Sequence, residues 1–470
     1  MSRLYEQVAD RITELVRNGV YGYGERVPSV RTLSQQLEVS ATTVVEAYRL
    51  LEDQGLLESR PQSGYYVCRS PENHERPECR CPDPRKPVPV GVGDLIMRVL
   101  SDAVRQDVVS FAGADAAPDL LPLHRLQREL SEAARDPAAV ATYDLPPGCR
   151  ELRVQIARRA AAAGCVLSPD QIVLTVGCQE ALTLCLRAVC RVGDVVAIES
   201  PTFYGQLQAI EALGLKVLEI PSDPVDGMSL AALKLALEQI PVRAVVATPS
   251  YNNPTGSCMP EPCRQELVDL LAARDIPLIE DDVYGDLGYE LRRAPAAKAY
   301  DRAGRVLYCS SFSKTAAPGF RLGWAVPGRY QAQVERLKVL SNLASPTLQA
   351  HAMASYLAGS GYERYLRRIQ REYGRRVRRL REVVRRSFPE GTRISSPRGG
   401  FVLWIELPSG YDTVELYPRA LGRGVGYAPG PIFSAARRYR NCLRLTASRC
   451  DPSREEALER LGAFFRQQGE

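Results

Sequence analysis

Lys314 stands in the run Ser310-Ser311-Phe312-Ser313-Lys314-Thr315-Ala316-Ala317-Pro318-Gly319-Phe320-Arg321. Small hydroxyl residues before a lysine, with an arginine shortly after it, describe a site where an amine can hold an aldehyde while hydroxyls and a guanidinium grip a phosphate. That is the chemistry of pyridoxal 5'-phosphate. Such a cofactor needs an amine for its aldehyde, an acid for its ring nitrogen, a partner for its phenolic oxygen, a ring face and a phosphate cup.

Each need has a candidate. Asp281 follows the strand-like Pro277-Leu278-Ile279-Glu280, and strand ends deliver residues to ligands in open α/β sheets. A carboxylate there keeps a pyridine nitrogen protonated. Tyr284 can reach the phenolic oxygen, as can Asn253 of Ser250-Tyr251-Asn252-Asn253-Pro254-Thr255-Gly256. Gly177-Cys178-Gln179-Glu180 joins a strand to a helix, whose first amides suit a phosphate. At Cys178 the amide rather than the thiol is expected to matter. Ser311, Ser313 and Arg321 complete the cup, and Phe203 offers the ring face, with Tyr204 as the second choice. Taken singly, these residues read as a helix cap, a turn and core. Jointly, their order along one alternating pattern fits one site.

The elements that would position them are short apolar strands, Ile172–Val176, Val195–Ile198, Ala244–Ala247, Pro277–Glu280 and Val306–Tyr308, separated by helical stretches such as Gln179 to Cys190 and Glu261 to Arg274. This alternation predicts an α/β fold with a mostly parallel sheet. After about residue 330 the pattern becomes a long helix followed by strands near Gly400–Ile405 and Cys442–Leu445, a smaller α+β lobe. Within that lobe Tyr365, Ile369, Tyr373, Val377, Leu380 and Val384 recur at helical spacing, so the surrounding arginines are expected on a solvated face.

Length and composition set outer bounds. With 470 residues, 45% of them hydrophobic, two or three domains are expected, and a net charge of +6 neither demands nor excludes nucleic acid. Thirteen scattered cysteines suggest reduced thiols rather than a disulfide framework. Cys79 and Cys81, with Cys68 and His74 nearby, match no standard zinc spacing, and no metal is expected. No apolar run approaches the roughly 20 residues that span a bilayer. The N-terminus lacks a signal segment, so a soluble, cytoplasmic protein without membrane contact is expected.

Proline-rich chain from about 70 to 90 reads as a linker. It separates residues 1–69 from the remainder, with the linker taken as 70–104 and the body as 105–470. In the N-terminal unit, Leu4, Val8, Ile12, Leu15 and Val16 share one helical face. A second helix starts at Ser29. Ser40 is the N-cap of a third, Ala41 to Asp53, stopped by Gly55. Leu56–Glu58 and Tyr65–Val67, around Pro61-Gln62-Ser63-Gly64, form a hairpin able to act as a wing. Residues 1–70 hold eight arginines against nine acidic residues, so affinity for double-stranded DNA would rest on local groups: Arg26, Ser29, Arg31, Ser40, Thr42, Thr43 and Ser63. A small protein-interaction module is the alternative.

The segments Gly24–Leu33, Val39–Tyr48, Leu51–Leu57 and Ser63–Val67 resemble the GntR-type winged helix-turn-helix. Ala41 departs from the arginine that many members carry there, which bears on operator sequence rather than fold. Residues of about 105 to 465 resemble fold-type I, class I/II aminotransferases. That second resemblance implies Lys314 as the Schiff-base lysine, Asp281 on the ring nitrogen, Asn253 and Tyr284 on the phenolic oxygen, and Arg321 on phosphate. It implies further Arg444 as the clamp on a substrate carboxylate, and Tyr143 reaching the partner's phosphate in a homodimer. The combination is similar to the MocR-type transcriptional regulators. Membership implies a DNA-binding regulator that senses an amino acid, an amine or the cofactor itself through aldimine exchange at Lys314. A working aminotransferase with an accessory DNA-binding head is the other reading.

Overall fold

The computed structural model describes residues 4–17, 20–21, 24–53, 56–60, 63–67, 76–78, 86–290, 292–449 and 451–468. They fall into two compact units, Met1–Glu75 and Arg76–Glu470.

The first unit holds helices Leu4–Arg17, Val30–Gln36 and Ala41–Asp53, then an antiparallel hairpin of Leu57–Arg60 and Gly64–Val67. Its helix starts follow from hydroxyl caps. The Ser29 hydroxyl accepts from the Thr32 amide and the Ser40 hydroxyl from the Thr43 amide, each at 3.1 Å, satisfying backbone donors that the first turn leaves open. Val8, Ile12, Leu33, Val44, Tyr48, Leu51, Leu57 and Val67 form its core. The expected stop at Gly55, the wing-tip residues Pro61 and Gln62, and the cysteine group Cys68, His74, Cys79 and Cys81 lie outside the described residues.

In the second unit an eight-stranded sheet runs, in spatial order, Val173–Thr175, Gly323–Val326, Val306–Ser311, Leu278–Asp281, Val242–Ala247, Val195–Ser200, Lys216–Asp223 and Gly227–Met228. The five strands from Val306–Ser311 to Lys216–Asp223 are parallel neighbours, and antiparallel strands close both ends. Nearly every residue of the central strands is buried, because both faces are covered, which is why their sequences read as apolar runs rather than alternations. A second sheet orders Arg393–Ile394, Val402–Glu406, Cys442–Thr446 and Ala428–Pro429.

Three details depart from the sequence reading. The tract taken as linker ends early: Gly93–Ala103 is a helix burying Ile96 and Val99, and Val88 exchanges both backbone hydrogen bonds with Val217. The prolines before that helix obscured its apolar stripe. The smaller lobe also begins before the large sheet, since Val109–Ser110 pairs in parallel with Val425–Gly426. Finally, in the helix Tyr362–Ser387 the apolar positions are buried as expected, but so are Arg376 and Arg381. Arg376 is held by Asp119 and Glu372.

Candidate functional site

Asp281 ends its strand beside Cys309 of the neighbouring one. Its Oδ1 accepts from the Val283 amide at 3.3 Å and from the Cys178 thiol at 3.5 Å, and its Oδ2 from Gln206 Nε2 at 3.4 Å. Burial raises the Asp281 pKa while those donors pull it back. Gln206 is itself fixed, its Oε1 accepting from Thr202 at 2.7 Å and its Nε2 donating to Thr248 at 3.0 Å. Behind them Glu199 accepts from the Thr248 amide and from Asn252, both at 2.8 Å, and burial lifts its pKa to about 7.

Lys314 Nζ donates to the Ala114 carbonyl at 2.7 Å. Burial lowers its pKa, the Asp115 charge raises it and Arg444 lowers it, a balance suited to an amine that must spend time unprotonated to act as a nucleophile. Arg444 is fully buried in the strand Cys442–Thr446. Its Nη1 donates to Asn253 Oδ1 at 3.3 Å, and its Nη2 to the Ala112 carbonyl. Its Nε has no hydrogen-bond partner among the described residues. The same holds for the hydroxyl of Tyr284, a buried side chain edge-on to Phe401 at 5.4 Å between centroids.

At the other end, Gly177 (φ +80°) introduces the helix Cys178–Val189. A Cβ there would come within 2.5 Å of Arg321 Nη2, and one at Gly323 would meet the Gly177 carbonyl carbon at 2.5 Å and the Cys178 nitrogen at 2.8 Å. Glycine at both positions lets the guanidinium and a neighbouring strand close on the helix start. Arg321 donates to Ser313 Oγ at 3.3 Å, and Ser311 Oγ accepts from the Ser313 amide at 3.3 Å. The Gln179 side chain turns away to the Gly205 carbonyl at 2.7 Å, leaving its amide for the helix start. The Phe203 ring lies 4.5 Å from that of Tyr204, which in turn faces Phe433 at 5.9 Å. Tyr143 is 74% exposed and shares no hydrogen bond with these residues.

This set fits pyridoxal phosphate. Two buried donors await acceptors, on Tyr284 and Arg444; a buried acid, a half-buried amine and a helix start walled by serines and a guanidinium accompany them. An unmade buried hydrogen bond costs about 1–3 kcal/mol, so an acceptor at the Tyr284 hydroxyl would relieve a standing penalty.

Residues 114–461 match the family model described as aminotransferase class I and II, and residues 4–67 that described as bacterial regulatory proteins, gntR family. The uncharacterized HTH-type transcriptional regulator YjiR of Escherichia coli strain K12 is 39% identical over 97% of this chain and 98% of its own length. A second from that organism, YdcR, is 38% identical over 98% and 99%. The chain belongs to this family of HTH-type regulators, a gntR head on a class I and II aminotransferase body. Among solved structures, LysN, the α-aminoadipate aminotransferase of Thermus thermophilus complexed with N-(5'-phosphopyridoxyl)-L-leucine, superposes with a TM-score of 0.73 at 29% identity, covering 79% of this chain and 94% of that one.

In the gntR head, Arg26, Arg31 and Thr42 are exposed. Arg26 runs alongside Gly64, where a Cβ would stand 3.1 Å from its Nε. Ser29 and Ser40 are committed to their helix caps, with the Thr43 hydroxyl 2.8 Å from that of Ser40, and Ser63 Oγ lies 2.6 Å from the Tyr66 hydroxyl. In the aminotransferase body, sequence reasoning missed Gln206, Glu199, Asp115 and the carbonyls of Ala112 and Ala114. Glu199 was detectable as a charged residue in an apolar strand run, whereas Gln206 is one of several polar residues in its helix. Carbonyls carry no sequence signal.

Proposed function

We propose that this chain is a pyridoxal phosphate-dependent, DNA-binding transcriptional regulator whose body reads an amino acid or amine at Lys314. The observation that carries the reading is the pairing of a complete cofactor constellation, Lys314, Asp281, Tyr284, Asn253 and Arg444, with a gntR head in one polypeptide. When bound, the cofactor supplies an aldehyde that captures amines and a ring that withdraws electrons. The chain's own groups do the rest. Lys314 Nζ holds or releases a proton at the carbonyl of Ala114. Asp281, kept in place by Gln206 and Cys178, holds a negative charge at the ring nitrogen. Tyr284 and Asn253 offer hydrogen bonds to the phenolic oxygen, Arg321 and Ser313 orient the phosphate, and Arg444 presents a buried guanidinium to a carboxylate, a pairing favoured by bidentate geometry.

Ligand binding that changes charge at Lys314 and Arg444 biases the body between states, which is the requirement for a signal to reach a DNA-binding unit. Residues 1–69 would carry operator contacts through Arg26, Arg31 and Thr42. The residues 105–470 would carry the sensor, as a homodimer to which exposed Tyr143 contributes. No helix among the described residues is long and apolar enough to cross a membrane. A second reading, an active aminotransferase, is favoured by one observation: no member of the constellation is missing. The test is promoter binding by the full chain, with and without amino acids. Retention of its own upstream DNA, altered by an amino acid and by Lys314→Ala, supports the regulator. Rapid transamination with no DNA retention would overturn it.

A further inference from the structure

The loop 112–115 runs along both reactive ends of the site. Its Ala112 carbonyl accepts from Arg444, and two residues later the Ala114 carbonyl accepts from Lys314 Nζ at 2.7 Å. The α-carboxylate and α-amine of an amino acid would therefore lie along this loop. Asp115 is the next residue. It is exposed, and its carboxylate folds back over Gly113, where a Cβ would meet Oδ2 at 2.8 Å. Gly113 thus leaves room for the carboxylate over the loop residue that lies between Ala112, bound to the clamp, and Ala114, bound to the amine.

Asp115 makes no hydrogen bond or ion pair among the described residues, yet it lies near enough for its charge to act on Lys314, Arg444, Tyr204 and Tyr284. The other acid of the site, Asp281, is occupied by Cys178, Gln206 and the Val283 amide and is assigned to the cofactor ring. Arg444 and Arg321 are assigned to a carboxylate and a phosphate. The exposed carboxylate of Asp115 is left without an assigned partner.

We infer that Asp115 selects an amino acid whose side chain carries a second cationic group. This rests on the reading of the site given above. A charge-assisted hydrogen bond is roughly twice as strong as a neutral one, whereas an acidic side chain placed there meets like charge. Basic amino acids are favoured, neutral ones tolerated and acidic ones rejected.

The test is calorimetric titration of the full-length, cofactor-loaded protein with L-lysine, L-ornithine, L-norleucine and L-2-aminoadipate. The expected result is that lysine or ornithine binds about tenfold or more tightly than norleucine, with aminoadipate weakest. In Asp115→Asn the lysine-to-norleucine ratio falls toward one, and in Asp115→Glu it is largely kept. Binding without charge preference in the parent protein, or a ratio unchanged in Asp115→Asn, overturns the inference alone. A cofactor-loaded protein that responds to no amino acid overturns the site reading and this inference with it.

Discussion

The Cys178 thiol and the Asp281 carboxylate, 103 residues apart in the chain, meet at 3.5 Å. Burial, then the Asp281 charge, then the hydrogen bond to it push the thiol well above its ordinary range. Because the thiolate is the reactive form, Cys178 is expected to resist alkylation. Iodoacetamide at pH 8, followed by peptide mass spectrometry, is expected to label it at least about tenfold more slowly in the folded than in the unfolded chain. Asp281→Asn should quicken labelling. Equal rates in folded and unfolded protein would show that the two groups do not engage.

Tyr284→Phe removes a hydroxyl that has no protein partner among the described residues. The melting temperature of the cofactor-free protein is expected to stay level or rise slightly, since a buried unsatisfied group is deleted. Affinity for pyridoxal phosphate should fall about tenfold, as expected for one lost hydrogen bond of about 1.4 kcal/mol. A loss of stability without a loss of affinity would place the hydroxyl in a structural role.

Gly177→Ala puts a methyl group against Arg321 Nη2 and forces a non-glycine residue to φ +80°. The backbone penalty is on the order of 1–3 kcal/mol. Cofactor retention on dialysis should suffer more than folding does if the displaced guanidinium holds the phosphate, as proposed. Full retention in the variant would remove Arg321 from that task.

In the head, capping and the proposed DNA recognition fall on different residues of one helix start. Ser40→Ala strips the Thr43 amide of its acceptor and should cost about 1 kcal/mol of head stability. Thr42→Ala, at an exposed position of the same helix, should leave melting unchanged and weaken operator binding in a gel-shift titration. The opposite pattern would mean that this helix does not read DNA.

Acid sensitivity has a traceable source in Glu372. Hydrogen bonds and charges from Arg375 and Arg376 hold its carboxyl at about 2, below the ordinary 4.5. A depressed folded value stabilises the protein above about pH 4.5 and is lost as pH falls toward 2. Glu372→Gln should therefore melt lower than the parent at pH 7, by about 1 kcal/mol after solvent screening of a partly exposed group. The gap should close near pH 2. A gap independent of pH would point to packing instead.

Much of the architecture was legible because it rests on local patterns. Hydroxyl caps at Ser29 and Ser40 and the apolar period of Leu4–Arg17 marked the head. Strand runs ending in Asp281 and leading into Lys314 marked the body. What stayed hidden depends on long-range pairing: the two-residue strand Val109–Ser110 has no periodicity to read, and the helix Gly93–Ala103 follows a proline tract that suggested open chain. Gln206 sits in an apolar helix face, and only the tertiary fold brings it to Asp281. Arg376 looked solvated because most of its arginine neighbours are, until Asp119, 257 positions away, was seen to pair with it.

The strand Val109–Ser110 is stitched to Val425–Gly426, and the Phe111 carbonyl accepts from the Thr446 amide, so the loop that follows is anchored at its root and reaches Lys314 through Ala114. Ala114 is bound into the core and to Lys314, but a substitution of exposed Asp115 meets little of either. On the proposed reading, such a layout would let the preferred compound be retuned at one residue while the cofactor residues and the DNA-binding unit stay as they are.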